Sequence, residues 1–353
     1  MSIIGSHLRP FDLPSTIGDR LTADQCVGRP LAIIFYHQDG NPEDATLLTE
    51  LNALFDQFEA RNIRLIAVGI EPIESHRTFA ESLQLQFPLL ADGESHMRKM
   101  FPPTPAKRTT RLLDPSLRVV RAYEDYDIHG HAQQLLDDAI THLDREPPRD
   151  ILQHAPVLLI PNVLPNELCQ RLISLWETQN EDSGFMKQVD GQTVGVTDYS
   201  HKIRSDHYLR SGPDEDAIRP FIVERVIPEI RKAFNFTVTR REDFRIAGYD
   251  STRGGYFRPH RDNTTVATAH RRFAMSLLLN DDYEGGYLRF PEFGPHRYRP
   301  AAGSAVVFSC SLLHEATDVT AGRRFVLLSF FYGEAEAKMR EQYNQKAGNA
   351  QRA

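Results

Sequence analysis

The sequence predicts two domains: an α/β sandwich followed by a β-rich barrel or jelly roll. Three observations predict it. The chain has 353 residues, more than one hydrophobic core usually serves. Its first 143 residues alternate strand-like and helix-like segments, whereas short strands dominate from about residue 155. Between these halves, Asp144-Arg-Glu-Pro-Pro-Arg-Asp150 is charged and doubly proline, the composition of a linker. The expected organisation is a first domain over 1–143, a linker over 144–154, a second domain over 155–335 and a polar tail over 336–353.

In the first half, Leu31-Ala-Ile-Ile-Phe-Tyr36 is short, apolar and ended by a turn-rich stretch, so it reads as a buried strand. Leu47, Leu48, Leu51, Leu54, Phe55 and Phe58 recur at helical spacing and predict a helix over Ala45 to Ala60. A second strand is expected over Ile63 to Ile70 and a helix over Ser75 to Leu83. A hairpin follows over Arg111 to Val120, then a closing amphipathic helix over His131 to Leu143. The second half opens with helices over Pro165 to Glu177 and Ile218 to Phe234. Strands then run to about residue 332, punctuated by Gly255, Gly285-Gly286, Pro291, Gly303 and Gly322. Residues 183 to 210 mix glycines, aromatics and charges without a clean period and read as a flexible lid.

Composition narrows the function. A formal charge of −7 speaks against nucleic acid as a partner, because phosphate binding needs a concentrated basic surface. Apolar runs are too short to span a membrane, and the start of the chain lacks a basic-then-apolar pattern. Three cysteines, Cys26, Cys169 and Cys310, are too scattered for a disulfide framework. A cytoplasmic location is therefore expected.

The chemistry concentrates in the second half. His260 and Asp262 form a His-x-Asp pair, and residues two apart on an extended strand share a face. His314 follows 52 residues after Asp262. Two imidazoles and one carboxylate are the donor set of non-haem iron(II) oxygenases, which leave positions open for cosubstrate and oxygen. Arg324 enters an apolar strand, Gly322-Arg-Arg-Phe-Val-Leu-Leu-Ser329, where a cation needs an anionic partner. Its neighbour Arg323 faces the other way and reads as a solvated charge. Cys310 reads as a buried inert thiol; His201, His207, His270 and His296 read as surface or loop histidines.

Those residues lie in a wider pattern. Leu158-Leu-Ile-Pro-Asn-Val-Leu-Pro165, Leu277-Leu-Leu-Asn280, Glu284-Gly-Gly-Tyr-Leu-Arg-Phe-Pro291 and Pro300-Ala-Ala-Gly-Ser-Ala-Val-Val-Phe308 fall in order around the triad. From about residue 155 to 333 the chain resembles the prolyl 4-hydroxylase-like branch of the 2-oxoglutarate-dependent dioxygenases. The resemblance implies a double-stranded β-helix, iron(II), 2-oxoglutarate as cosubstrate and O2. It implies succinate and CO2 as coproducts and hydroxylation of a prolyl or other residue, or of a small amino-acid-like molecule. Arg324 would meet the far carboxylate of 2-oxoglutarate, with Tyr249 near a family tyrosine that does the same. Arg204, Asp206 and Tyr208 are candidate substrate contacts in the region that shapes the family's pocket.

The first half carries Phe11-Asp-Leu-Pro14, Phe87-Pro-Leu-Leu-Ala-Asp92 and Arg108-Thr-Thr-Arg-Leu-Leu-Asp-Pro115 around its strand-helix core. In that order they resemble the peroxiredoxin branch of the thioredoxin-like fold. The family's nucleophilic cysteine falls on Asp44, where a carboxylate can cap a helix but cannot do thiol chemistry. Arg108 stands where the family keeps its catalytic arginine. The first domain is thus expected to be non-catalytic and to recruit a substrate or form a homodimer, to which either domain could contribute. Two other readings remain open: a scaffold with both domains idle, and a thiol peroxidase, against which Asp44 speaks.

Overall fold

The computed structural model describes residues 3–101, 108–143, 150–189 and 192–350. It divides into two compact units, Met1–Pro148 and Arg149–Ala353. Of the linker expected over 144–154, residues 144–149 lie outside the described residues, as do residues 351–353 of the tail.

The first unit is built on a five-stranded sheet in the order Leu89–Ala91, Arg64–Gly69, Leu31–Phe35, Thr109–Leu113, Val119–Glu124. The first three strands run parallel and the last two antiparallel. Leu31–Phe35 is central because it is apolar on both faces. Ala32 and Ile34 join a core with Leu47, Leu51, Phe58 and Leu135, while Leu31, Ile33 and Phe35 pack with Leu90 and Val119 on the other side. The helix expected over Ala45 to Ala60 is two helices, Pro42–Ala53 and Phe55–Ala60, broken at Leu54, whose ψ of 4° departs from helical values. His131–Leu143 forms as expected.

Asp44 does not cap its helix. Asn41 does, its Oδ1 accepting from the amides of Glu43 and Asp44 at 3.0 and 3.2 Å. The Asp44 carboxylate is fully buried and turns back to accept from the amides of His37 and Gln38 at 3.2 and 3.0 Å. Arg108 pairs with it and with Glu43, and so is a structural cation.

The second unit is sheet-rich. Its large antiparallel sheet runs Leu158–Ile160, Ala305–Ser309, Phe273–Leu278, Arg323–Tyr332, Phe244–Asp250, Ser205–Leu209, Glu181–Asp182. The smaller one runs Lys202–Ile203, Tyr256–His260, His314–Ala316, Leu288–Arg289, Arg297–Tyr298. Two sheets with flanking helices make the jelly roll that the turn-punctuated strands predicted. Helix Asn166–Thr178 lays Trp176 on the large sheet. Only glycine fits at position 248, since a Cβ there would come within 2.4 Å of the indole. The helix expected over Ile218 to Phe234 is Pro213–Arg225 followed by Ile227–Phe234. Pro228 has no N–H for a continuous helix but suits the first turn of a new one.

The segment expected to be a lid contributes strands. Phe185–Val189 and Gln192–Val196 form a hairpin, and Lys202–Ile203 and Ser205–Leu209 belong to the two sheets. No helix among the described residues is long and apolar enough to cross a membrane.

Candidate metal centre

His260 ends the strand Tyr256–His260 and is the cross-strand partner of His314, with ring centroids 4.3 Å apart. The register slips between Phe257 and His260, next to Pro259, which cannot donate to the ladder. Asp262 lies beyond the strand, not on it. Its amide donates to the carbonyl of Cys310 at 3.0 Å, and that tether, not strand alternation, turns its carboxylate toward the imidazoles. Asp262 Oδ1 stands 3.7 Å from His260 Nε2 and Oδ2 stands 3.4 Å from His314 Nε2. One ligand atom from each of the three residues lies within 4.8 Å of the others.

The tautomers suit a cation. His260 Nδ1 lies 2.8 Å from the carbonyl of Arg258, and His314 Nδ1 lies 3.0 Å from that of Leu312. A carbonyl only accepts, so each Nδ1 carries the proton and each Nε2 turns a lone pair toward Asp262. Burial first, and His314 beside it second, hold His260 well below the usual histidine range, so it is neutral at pH 7. Phe257 stacks on the His260 ring at 3.4 Å and fixes its plane. Three donors of this kind fit a divalent metal with positions left open.

Arg324 is 2% exposed and faces Tyr249 directly across neighbouring strands, its guanidinium 5.0 Å from the centre of the Tyr249 ring. Its Nε is buried without a hydrogen-bond partner, and among the described residues it has no ion pair. Gly286 makes its room, since a Cβ there would come within 2.8 Å of Arg324 Cδ. A buried guanidinium without an acceptor fits an anionic cosubstrate. Arg323 points outward and pairs with Glu177 at 2.7 Å.

Arg204, Asp206 and Tyr208 line the same cleft of about 1230 Å³ as the three candidate ligands, Arg324 and Tyr249. Arg204 donates to Asp206 at 2.7 Å and to the Tyr249 hydroxyl at 3.3 Å. Burial would raise the pKa of Asp206, but Arg204 and Lys202 beside it hold it below the ordinary value. Tyr208 is half exposed under the guanidinium of Arg245. Cys310 is fully buried.

Sequence reasoning missed four cleft residues, Glu242, Arg271, Arg245 and Lys202. Glu242 accepts from Arg271 at 2.6 and 2.9 Å and contacts Arg245 at 3.5 Å. His270, expected at the surface or in a loop, lies in a turn and is buried against Glu242 at 2.9 Å. Lys202 is also buried, donating to Ser183 Oγ at 2.7 Å and Gly184 O at 2.6 Å. Lys202, Arg204, Asp206 and Tyr208 alternate at strand period, a signal hidden because every member is polar.

Residues 4–122 match the AhpC/TSA family and residues 244–332 the 2OG-Fe(II) oxygenase superfamily. The chain is 30% identical over 139 residues to peroxiredoxin Bcp of Xanthomonas campestris pv. campestris, which covers 36% of this chain and 87% of that protein. The solved bacterioferritin comigratory protein of Xanthomonas campestris is 27% identical, covering 37% of this chain and 91% of that one, with a TM-score of 0.36. A PKHD-type hydroxylase of Azoarcus sp. (strain BH72) is 37% identical over 94 residues, 24% of this chain and 40% of that protein, so this chain spans less than half of that relative. The chain thus belongs to the AhpC/TSA peroxiredoxin family through its first unit and carries a 2OG-Fe(II) oxygenase domain in its second.

Proposed function

We propose that this chain is an iron(II)- and 2-oxoglutarate-dependent hydroxylase whose metal is held by His260, Asp262 and His314. The observation that carries the reading is the convergence of the two imidazole Nε2 atoms on Asp262 with both Nδ1 protons already spent on backbone carbonyls. Iron(II), when bound, supplies the oxygen chemistry that turns 2-oxoglutarate into succinate and CO2 and oxidises a substrate C–H bond.

The side chains bind and orient. Arg324 takes the far carboxylate of 2-oxoglutarate, with the Tyr249 ring packed beneath it. Phe257 holds the His260 ring in plane, and Leu288, Phe308 and Ala316 give the cleft an apolar floor that limits water. The substrate is a prolyl or other protein residue or a small amino-acid-like molecule. The first unit serves as a non-catalytic surface for recruitment or for pairing with a second copy.

The test is anaerobic iron titration followed by oxygen-dependent succinate release, with mass spectrometry of extract components for products heavier by one oxygen atom. Iron binding at one equivalent with 2-oxoglutarate consumption supports the reading. Failure to bind a divalent metal would end it.

A further inference from the structure

We propose that the substrate of this cleft is anionic, and that its carboxylate is neutralised by Lys202 and Arg245. The proposal rests on the oxygenase reading of the site and names the class of molecule that the site takes.

Charge distribution in the cleft carries the inference. Eight Lys and Arg side chains line it against six carboxylates; among them, Lys202, Arg204, Arg245, Arg271 and Arg324 meet only Asp206 and Glu242 as ion-pair partners among the described residues. Asp206 is taken by Arg204 at 2.7 Å. Glu242 is held by both arms of Arg271 and by His270. Arg324 is assigned to the cosubstrate. Of those five, Lys202 and Arg245 remain without a full partner.

Lys202 is 4% exposed, and the acceptors it has, a serine hydroxyl and a backbone carbonyl, are neutral. An ammonium has three protons, so one donor is left over. Burial first, then the repulsion of Arg204, push its pKa down to about 6 against the pull of Asp206 and Asp262, so in the empty cleft at pH 7 the group is largely the amine, and a carboxylate beside it would favour the ammonium. Among the described residues Arg245 pairs only with the already shared Glu242, at 3.5 Å, and its Nε is buried without a hydrogen-bond partner there.

These groups stand close to the metal ligands. The Lys202 side-chain nitrogen lies 4.9 Å from the centre of the Phe257 ring, and the imidazole of His260 stacks on the same ring. Arg245 lies over Tyr208 and Phe330, with Arg271 over the same Phe330, and the Arg271 Nη1 donates to the Asp262 carbonyl at 3.3 Å. A neutral substrate filling the cleft would leave the Arg245 guanidinium uncompensated and Lys202 an amine, whereas a carboxylate pairs with Arg245 and draws a proton onto Lys202. Bound iron and 2-oxoglutarate do not change the sign. Iron carries two positive charges against the single one of Asp262, and the cosubstrate dianion is matched by that surplus and Arg324.

A carboxylate can arrive on a free acid or on an acidic side chain of a protein, and the experiment separates the two. Full-length protein is loaded with Mn(II) in place of iron, and with 2-oxoglutarate. The metal-induced relaxation of probe protons is then read by NMR. The free-acid pair is N-acetyl-L-aspartate against N-acetyl-L-asparagine amide. The peptide pair is capped Ala-Asp-Ala against capped Ala-Asn-Ala. The expected result is an enhancement for one acidic probe about tenfold above its neutral counterpart. It should be lost in Lys202→Met and, independently, in Arg245→Met. The responding pair identifies the source.

Equal enhancement of acid and amide, silence from all four probes, or full enhancement in both variants would overturn the proposal. The affinity for 2-oxoglutarate, read on the same samples, distinguishes this from failure of the site itself. If wild-type protein takes up neither Mn(II) nor 2-oxoglutarate, the oxygenase reading falls and this inference falls with it.

Discussion

His260 and His314 are direct cross-strand partners, and each points its Nδ1 at a carbonyl two residues earlier in its own chain, leaving both Nε2 atoms to Asp262. In the proposed site each histidine is one of three protein ligands, so losing either would leave two. His260→Ala or His314→Ala should abolish iron-dependent 2-oxoglutarate turnover while the far-ultraviolet circular dichroism stays that of the wild type. Undiminished succinate production by either purified variant would remove the triad from the reaction.

Arg324 and Tyr249 face each other across neighbouring strands, and the guanidinium has no carboxylate partner among the described residues. Removing one member of a buried charge pair costs roughly 2 to 5 kcal/mol. Arg324→Leu should therefore weaken 2-oxoglutarate binding by at least about 30-fold, with little change in metal affinity. Calorimetric titration of the Mn(II)-loaded variant reads both. Unchanged 2-oxoglutarate affinity would move the anchor elsewhere, although Arg323 is committed outward to Glu177.

The surroundings of Asp44 in the first unit offer a chemical test. Asp44 stands in the first turn of its helix, with the amides of His37 and Gln38 and the Arg108 guanidinium aimed at its carboxylate. Those groups would stabilise any anion placed there, and a thiolate so placed has its pKa lowered. In Asp44→Cys the new thiol should alkylate with a pH midpoint below the ordinary value of about 8.5. Cys26, Cys169 and Cys310 are buried and should react slowly. A midpoint at or above the ordinary value would mean that these donors do not stabilise an anion at this position.

What could be read in the sequence followed from how local the cause was. Leu31–Phe35 was legible as a doubly covered strand because five consecutive buried residues leave no polar face. Pro228 already marked the helix break at Val226, but the apolar period around it concealed it. His260, Asp262 and His314 stood out as residues with few uses besides chemistry, yet the turn that delivers Asp262 depends on a bond to Cys310, 48 residues away, and has no local signal. The Glu242 cluster was invisible for the same reason. Arg245 is three residues off, but His270 and Arg271 arrive from 28 and 29 residues away. Lys202, Arg204 and Asp206 were hidden differently. Their strand alternation is intact, but polar residues alternating into a cleft look like loop polarity until the wall they form is known.

His131 provides a pH test of the first unit. Its ring is 1% exposed, stacks on Tyr126 at 3.6 Å and meets Thr110 Oγ1 through Nε2 at 3.0 Å, while Nδ1 is buried without a partner. Burial pushes its pKa down to about 4 against the opposing pull of Asp138. The folded unit therefore holds His131 neutral where the unfolded chain, with an ordinary value of about 6.5, takes up a proton. Above that ordinary value neither state is protonated and the contribution is intact. As pH falls from about 6.5 to about 4 the unfolded state alone gains the proton, so stability declines, and below that window the loss is complete. The shift corresponds to a loss of roughly 3 kcal/mol at most. His131→Gln keeps a polar side chain without the titration, so its stability should depend less on pH in this window. Hydrogen exchange of the strand Thr109–Leu113, corrected for intrinsic rates and compared between about pH 7 and pH 5, reads the difference. If wild type and variant lose protection equally on acidification, the acid sensitivity of the unit comes from carboxylates and not from this imidazole.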